Sequence, residues 1–411
     1  MRAKIITIGD EILVGQTVDT NSTFMAKAFN QAGIQVTEIL SITDTKAHII
    51  EAVDKAIPNN DFVILTGGLG PTNDDITKSV LTEYFEDELV LYPKILDRIQ
   101  DYFKRFNKPF LEVNQLQAML PKHATIIENE LGTASGMWFK KGNTHILSLP
   151  GVPFEMKALF TTFLKKITET YQLGNFYHKS VLVAGIGESY FAELIKDWEG
   201  KCRDEGISVA YLPSIGSLKL RLTGDIKQKT FIDAQLEEMV SQHRKYVVGY
   251  EDTSLQEKIG ELLLLKNATL GTVESCTGGG LAEKIVSVPG SSNYYEGTIV
   301  SYSYRLKENL VGVKHDTIVN FGAVSEEVVR EMAKKGQEKL AVDYCISISG
   351  VAGPDGGTED KPVGTVWIAI ATPNQVHAKV FQFGYNRSRN ITSTIMAALN
   401  FLRLVLIEEV K

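Results

Sequence analysis

A serine in the last third of the chain stands where a predicted strand passes into a predicted helix. The run Thr272–Ala282 reads TVESCTGGGLA, so Ser275 follows the strand and the helix is expected from about Leu281. Glycines let the backbone turn tightly, and the positive end of a helix favours an ionised hydroxyl. The pattern is typical of a nucleophilic serine, and it is equally typical of a helix capped by Ser275 or Thr277.

A lysine at the start of the next helical segment is the candidate base for this serine. The predicted strand 297–304 leads into Lys307. A partly desolvated lysine with a lowered pKa is one of the few substitutes for histidine in activating a serine. The histidines of this segment are His315 and His377, and the polar surroundings of His315 favour a surface position at a helix start. The sequence therefore predicts a pair of Ser275 and Lys307.

The cysteines suggest neither a disulfide framework nor a zinc site. Cys202, Cys276 and Cys345 are scattered and show no C-x-x-C spacing, so we expect reduced thiols. Cys276 is an alternative nucleophile because it adjoins Ser275. A small, buried residue at a strand end is the more ordinary interpretation.

A glycine-rich loop follows another predicted strand of the same segment. The run Ser347–Thr358 reads SISGVAGPDGGT. Such loops aim backbone N–H groups at phosphates or oxyanions, although glycine-rich turns also occur without ligands. The loop is a second candidate wall for a site around Ser275.

Composition favours a soluble, multidomain protein that acts on small molecules. The chain has 411 residues and is 44% hydrophobic and 23% charged, which predicts two to four globular domains. A net charge of −7 argues against a large basic surface for nucleic acid or anionic lipid. No long apolar segment or signal peptide is recognisable, so we expect a cytoplasmic protein without a membrane partner.

A third glycine-rich loop lies in the first half of the chain. The run Thr66–Thr77 reads TGGLGPTNDDIT and follows an apolar predicted strand. It matches neither the P-loop nor the dinucleotide-binding pattern. We still predict a phosphate cradle formed by Gly67, Gly68 and Gly70.

Four carboxylates accompany this loop. Asp74 and Asp75 stand at the expected start of the following helix, while Asp10 and Glu11 follow the first predicted strand. Acidic residues suit a helix N-terminus, which is the ordinary interpretation of Asp74 and Asp75. The functional interpretation is a divalent cation held against a pyrophosphate.

Alternating strand and helix patterns predict an α/β protein made of two α/β sandwiches joined by a small α+β module. We place the boundaries at 1–170, 171–250 and 251–411. Residues 138–140 and 145–149 predict a hairpin with a Gly-Asn turn, expected at an edge or as a flap. In the last segment, strands are expected near 268–273, 297–304, 344–350, 364–371 and 377–383, before a long helix at 388–409.

Several motifs of the last segment together resemble the C-terminal domain of the competence/damage-inducible protein A (CinA) family. They are ESCTGG, PGSS, GAVSEEV, SGVAGPDGG and KPVGTV, in that order. The resemblance implies a metal-free nicotinamide-mononucleotide (NMN) deamidase with Ser275 as nucleophile and Lys307 as general base. Tyr302 falls on a family tyrosine, and Ser349 stands where the family usually has threonine, also with a hydroxyl.

The resemblance also implies which groups hold substrate in this segment. Backbone N–H groups at Thr277–Gly279, or those following Ser349, would hold the oxyanion, and an arginine before the last helix would bind phosphate. The spacing departs from the family pattern there, so Arg387 and Arg389 remain alternatives. The candidate binding residues are Thr277, Gly278, Gly279, Gly353, Gly356, Arg387 and Arg389.

The first two segments resemble the remaining parts of full-length CinA proteins. The first is similar to molybdopterin-binding domains, which implies ADP-ribose pyrophosphatase activity with Mg, Mn or Co. The middle module is similar to KH domains, although Pro213–Gly216 lacks the first glycine of a GXXG loop, so nucleic acid is not the expected partner. We expect a homodimer. The alternative is a protein associated with competence or DNA repair, whose first domain binds a pterin or nucleotide without hydrolysing it.

Overall fold

The chain forms two compact units, Met1–Tyr177 and His178–Lys411. A computed structural model describes residues 1–72, 74–171, 173, 176–384 and 386–408. Each unit is a mixed α/β structure with its own sheets and hydrophobic core.

The first unit is built on a six-stranded sheet of order β2-β1-β3-β8-β7-β6. Parallel pairing joins β2, β1, β3 and β8, and antiparallel pairing adds β7 and β6. The strands are β1 (Arg2–Ile8), β2 (Gln35–Ile42), β3 (Phe62–Thr66), β4 (Leu89–Leu91), β5 (Met119–Pro121), β6 (Thr125–Ile127), β7 (Gly136–Lys141) and β8 (Thr144–Leu149). The helices are α1 (Asp10–Leu13), α2 (Thr20–Gln31), α3 (Lys46–Ala56), α4 (Thr77–Tyr84), α5 (Pro93–Arg105), α6 (Glu112–Gln115) and α7 (Pro153–Tyr171).

The predicted hairpin is present, but its expected position at an edge or in a flap is wrong. Strand β8 lies between β3 and β7, and all of its residues are buried. Ile146 belongs to the core on one face of the sheet, and Leu147 and Leu149 belong to the core on the other. A strand with apolar side chains on both faces belongs inside a sheet covered by helices.

The second unit begins with a four-stranded sheet of order β10-β11-β9-β12. Its strands are β9 (Phe176–Ala184), β10 (Ser208–Ser214), β11 (Ser217–Asp225) and β12 (Val247–Tyr250), and its helices are α8 (Glu188–Leu194), α9 (Lys196–Asp204) and α10 (Lys229–Gln242). The short strand β12 was not predicted, and it pairs antiparallel with β9. We call residues 178–250 the middle module.

The rest of the second unit is an α/β sandwich around a five-stranded sheet of order β14-β13-β15-β16-β17. The strands are β13 (Leu270–Glu274), β14 (Tyr295–Val300), β15 (Tyr344–Gly350), β16 (Thr365–Ala371) and β17 (Val376–Gln382). The helices are α11 (Leu255–Lys266), α12 (Gly280–Val286), α13 (Tyr304–Leu306), α14 (His315–Phe321), α15 (Glu326–Leu340) and α16 (Arg387–Glu408), with a π-helical turn at Lys307–Val311. Because β14, β13 and β15 are parallel, their carboxyl ends meet at one edge of the sheet.

Helix α16 is long and apolar enough to cross a membrane by length and composition. In its most apolar window, 56% is buried inside the structure. Ala398, Leu402 and Leu406 of this helix belong to the core of the sandwich. The packing is that of a core helix covering one face of a sheet.

Candidate active site

Ser275 lies at the carboxyl end of β13, in a tight turn that leads to α12. The carbonyl of Ser275 accepts the N–H of Gly278 at 3.1 Å. Gly278 and Gly279 have φ angles of 61° and 100°, which side chains other than glycine rarely adopt. The serine side chain is almost buried, with 7% of its surface exposed.

Lys307 reaches this serine from the neighbouring strand connection. Its Nζ lies 2.8 Å from Ser275 Oγ and donates to the carbonyls of Ser301, at 2.8 Å, and Tyr302, at 3.5 Å. Strand β14 ends at Val300 rather than at Tyr304 as predicted, because the chain turns there and presents these carbonyls to the amine. The structure therefore brings the two predicted reactive side chains into direct contact.

The lysine sits in surroundings that favour its neutral form. It is 1% exposed, and burial lowers the pKa of Lys307 to about 8. A neutral amine has two N–H donors and one lone pair. If the two hydrogens of the neutral amine go to the carbonyls of Ser301 and Tyr302, its lone pair is left for the hydroxyl of Ser275, as a general base requires.

Cys276 is less suited to act as the nucleophile. It is 8% exposed, and burial raises the pKa of its thiol to about 12, against the opposing charge of Lys307. Only the thiolate is strongly nucleophilic. The interpretation of Cys276 as a buried residue at a strand end agrees with this geometry.

Glu274 is a residue of the site that the sequence reasoning missed. Its carboxylate is fully buried and accepts the N–H groups of Gly279 at 3.0 Å, Leu281 at 3.1 Å and Ala282 at 2.8 Å. The carboxylate thus satisfies the first N–H groups of α12 from the end of the preceding strand. An acidic residue just before a glycine-rich strand-to-helix turn was the available signal.

The glycine N–H groups are less available for an oxyanion than expected. Those of Gly278 and Gly279 already donate to Ser275 and Glu274. Among the described residues, the N–H of Thr277 has no acceptor, and its buried hydroxyl has no hydrogen-bond partner either. Thr277 is therefore the predicted binding residue with free polar groups beside Ser275.

An arginine and a tyrosine form the outer rim of the site. Arg387, at the start of α16, donates to the carbonyl of Gly353 at 2.7 Å and to the hydroxyl of Tyr302 at 3.1 Å. Tyr302 is 58% exposed, while its carbonyl contacts Lys307. A continuous set of contacts thus joins the buried pair to an exposed cation.

Three other residues that were predicted for the site make their described contacts away from Ser275 and Lys307. Ser349 is 1% exposed and its hydroxyl donates to the carbonyl of Ala323 at 2.7 Å, which ties β15 to the segment before α15. Gly356 lies in an exposed loop with a φ of 87°. Arg389 lines a groove beside the middle module, whereas Arg387 contacts the rim of the site.

The glycine loop of the first unit is tightly packed after β3. A Cβ atom at Gly67 would lie 2.1 Å from the carbonyl oxygen of Ile8, and one at Gly68 would lie 2.2 Å from Oγ1 of Thr77. That hydroxyl is buried and has no partner in the described part of the chain. The loop thus packs closely against β1 and the start of α4, and it leaves one buried hydroxyl unpartnered among the described residues.

One of the carboxylates near this loop, Asp75, is engaged in the turn before α4. Asp75 accepts the N–H of Thr72 at 3.1 Å and packs against Gly70. Helix α4 begins only at Thr77, so the expected helix start at Asp74 and Asp75 is wrong, because Asp75 closes the preceding turn.

The carboxylates of the described residues do not by themselves make a metal centre. Asp10 and Glu11 are exposed in the first turn of α1. Within 1–72, 74–171, 173, 176–384 and 386–408, no group of three or more Asp, Glu, His or Cys side chains could hold a metal ion. The described side chains therefore do not fit a cation that is held by protein ligands alone.

Family models match three consecutive parts of the chain. The CinA C-terminal domain matches residues 252–406, a probable molybdopterin binding domain matches 4–170, and the damage-inducible protein CinA KH domain matches 178–250. A CinA-like protein of Flavobacterium psychrophilum is 43% identical over 412 residues, which are 98% of both chains. The chain belongs to the CinA family.

Other relatives cover the chain equally fully. A CinA-like protein of Cytophaga hutchinsonii is 41% identical over 414 residues, covering 100% of this chain and 99% of its own. A putative competence-damage inducible protein of Caldicellulosiruptor saccharolyticus is 35% identical, covering 99% of this chain and 100% of its own. The whole three-part architecture is thus common to these CinA relatives.

Solved structures match parts of the chain. A CinA protein of Thermoplasma acidophilum is 34% identical, covers 40% of this chain and 97% of its own, and has a TM-score of 0.37. A CinA superfamily protein of Klebsiella pneumoniae is 30% identical, covers 38% of this chain and 96% of its own, and also has a TM-score of 0.37. The molybdopterin biosynthesis enzyme MoaB of Thermus thermophilus is 17% identical, covers 41% of this chain and 92% of its own, and has a TM-score of 0.28.

The first prediction concerns the protonation of Lys307. Since burial lowers its pKa to about 8, the amine is mostly protonated at pH 6 and neutral at pH 9. The rate at which a fluorophosphonate probe labels Ser275 should therefore rise about tenfold per pH unit below that value and level off above it. Lys307→Arg should abolish the rise, because a guanidinium keeps its proton. A labelling rate independent of pH in the wild type would contradict the role of Lys307.

The second prediction concerns Glu274. In Glu274→Gln, the amide N–H₂ cannot accept the backbone N–H groups, so the variant should lose about 1–3 kcal/mol of unfolding free energy. Labelling of Ser275 should also slow, because the turn loses its anchor. Urea unfolding and probe labelling measure the two effects. Glu283→Gln, on the exposed side of α12, is the matched control, and equal losses in both variants would refute the anchoring role.

Proposed function

We propose that the C-terminal domain hydrolyses the carboxamide of NMN to nicotinate mononucleotide and ammonia. The contact of Ser275 Oγ with Lys307 Nζ at 2.8 Å, inside a buried site, is the observation that carries the proposal. Membership of the CinA family and the resemblance of the C-terminal motifs suggest the substrate. A nucleophile paired with an amine base suits amide hydrolysis without a metal.

In the proposed mechanism, neutral Lys307 takes the proton of Ser275 as Oγ attacks the amide carbon. The N–H and hydroxyl of Thr277 are available to stabilise the resulting oxyanion. The ammonium of Lys307 then returns its proton to the leaving nitrogen, so ammonia departs and an acyl-serine ester remains. Water, deprotonated by the same amine, attacks the ester carbon, and the ammonium of Lys307 gives that proton to the departing Oγ of Ser275. The nicotinate product then ionises to the carboxylate, and serine and neutral lysine are restored.

Arg387 is the proposed contact for the 5′-phosphate of NMN. Its guanidinium bridges Tyr302 and the loop at Gly353 on the exposed rim, and arginine forms strong hydrogen bonds with phosphate. Arg389 does not share these contacts. Tyr302 contacts this cation through its hydroxyl and Lys307 through its carbonyl, so its exposed ring is the proposed contact for the pyridine ring of NMN.

The third prediction tests the nucleophile. Ser275→Ala should lower the release of ammonia from NMN on the order of a thousandfold or more, because the attacking oxygen is removed. Circular dichroism should show an unchanged fold. Ser287→Ala, whose hydroxyl bonds to a helix carbonyl at an exposed position, is the control. Turnover by Ser275→Ala near that of the wild type would remove this serine from the mechanism.

We propose a second activity for the first unit, the hydrolysis of ADP-ribose to AMP and ribose 5-phosphate with a divalent cation. The unpartnered hydroxyl of Thr77 beside Gly68 supports a phosphate site. Since no described group of three or more His, Cys, Asp or Glu side chains could hold a metal ion, the activity would depend on a cation supplied together with the pyrophosphate.

The fourth prediction separates the two activities. Gly68→Ala should abolish AMP formation, because Gly68 has a φ of 67° and a Cβ would lie 2.2 Å from Thr77 Oγ1. Ammonia release from NMN should be unchanged. Gly142→Ala carries the same backbone strain, with a φ of 60° in an open turn, and serves as control. EDTA should stop AMP formation and spare ammonia release; AMP formation that survives both EDTA and Gly68→Ala would overturn the second activity.

A further inference from the structure

A groove of about 700 Å³ lies in the second unit between the middle module and the C-terminal sandwich. On the module side it is lined by two turns, 185–188 and 213–217, and on the sandwich side by β17 and α16. Its volume is in the range of small-molecule binding sites. Its described lining contains neither Ser275 and Lys307 nor Gly68 and Thr77 of the first unit, so neither proposed activity uses this groove.

Strand β17 presents an aromatic pair to the groove. Phe381 pairs with Val366 and Lys379 pairs with Ile368, and both partners belong to the core on the α16 side of the sheet. Side chains two residues apart share a face, so Phe383 points the same way. The rings of Phe381 and Phe383 stack with centroids 5.9 Å apart and planes 7° apart.

The charged residues of the groove are mostly basic. Lys245, Lys379 and Arg389 line it, and Glu188 is the only carboxylate among its described lining residues. Within the described chain, neither Lys245 nor Lys379 takes part in an ion pair, and the ammonium of Lys379 lies over the ring of Phe381. In a protein of net charge −7, the groove therefore carries a local excess of basic side chains.

The two walls of the groove are held together by specific contacts. Arg403 of α16 is 2% exposed and donates to the carbonyls of Lys245 at 2.6 Å and Val247 at 3.2 Å. A Cβ atom at Gly216 would lie 2.6 Å from Met396, so the turn of the module packs directly on α16. A groove fixed in this way is preformed for a ligand.

We propose that this groove binds a nucleoside phosphate, with the base stacked on Phe383 and the phosphate between Lys245, Lys379 and Arg389. Aromatic rings bind the planar faces of bases, and lysine and arginine bind phosphate. A groove of about 700 Å³ has room for a single nucleotide. The site goes beyond the two proposed activities and does not depend on them.

The test measures binding of GMP to the full-length protein by calorimetry, because its base is absent from both proposed substrates. The wild type should bind GMP. The double variant Lys245→Ala/Lys379→Ala and the variant Phe383→Ala should each bind it at least about tenfold more weakly, since stacking and phosphate contacts are lost. Ribose 5-phosphate, which lacks a base, should bind the wild type at least about tenfold more weakly than GMP does.

The double variant Lys334→Ala/Lys339→Ala on α15, which covers the opposite face of the sheet, is the matched control and should bind GMP like the wild type. Photolabelling of the wild type with 8-azido-GMP should mark β17 or the turns at 185–188 and 213–217. No GMP binding, equal affinity in all variants, or labelling elsewhere would overturn the proposal. If an oligothymidylate binds with a steep salt dependence and GMP does not bind, the groove is a nucleic-acid site and not a site for a single nucleotide.

Discussion

The burial of one amine is the constraint on which the candidate active site depends. Removing an ammonium ion from water is costly, so a buried lysine without a carboxylate partner favours its neutral form. Among the described residues, Lys307 has backbone carbonyls and the hydroxyl of Ser275 as its hydrogen-bond partners. Burial disfavours the charged form of Lys307, and it thereby makes the neutral amine available as a base near neutral pH. The amine can act on Ser275 only while the turn holds the serine against it.

Glu274 connects this constraint to the fold. The start of α12 leaves N–H groups that must find acceptors when buried, and the carboxylate at the end of β13 supplies them. The strand, the turn and the helix are thereby fixed relative to one another. Ser275 follows Glu274 directly, so its position is set by contacts that its own side chain does not make. Stability of the turn and orientation of the nucleophile have one physical cause.

The features of the site that depend on local sequence patterns were predicted from the sequence. A strand before glycines located Ser275, and a lysine after the next strand located Lys307, since parallel strands end at the same edge. Residues whose role depends on distant partners were not predictable. The bond of Ser349 to Ala323 joins groups 26 residues apart, which local spacing does not relate. The bonds of Glu274 to α12 are local, and the acidic residue before the glycines was a signal for them that was not used. Strand β8 was misplaced because a short apolar run does not reveal which strands flank it.

The arginines of α16 also show that local spacing alone does not reveal which partners a side chain meets. At about 100° per residue, Arg387 and Arg389 point about 200° apart, while Arg389 and Arg403 lie within about 40° of each other. Arg387 therefore contacts the rim at Tyr302, and the other two face the middle module. The spacing of the three arginines gives these angles from the sequence alone. Which surface each arginine reaches depends on which side of the helix covers the sheet. That side is chosen by the packing of the whole second unit, so one helix serves two surfaces that the sequence could not tell apart.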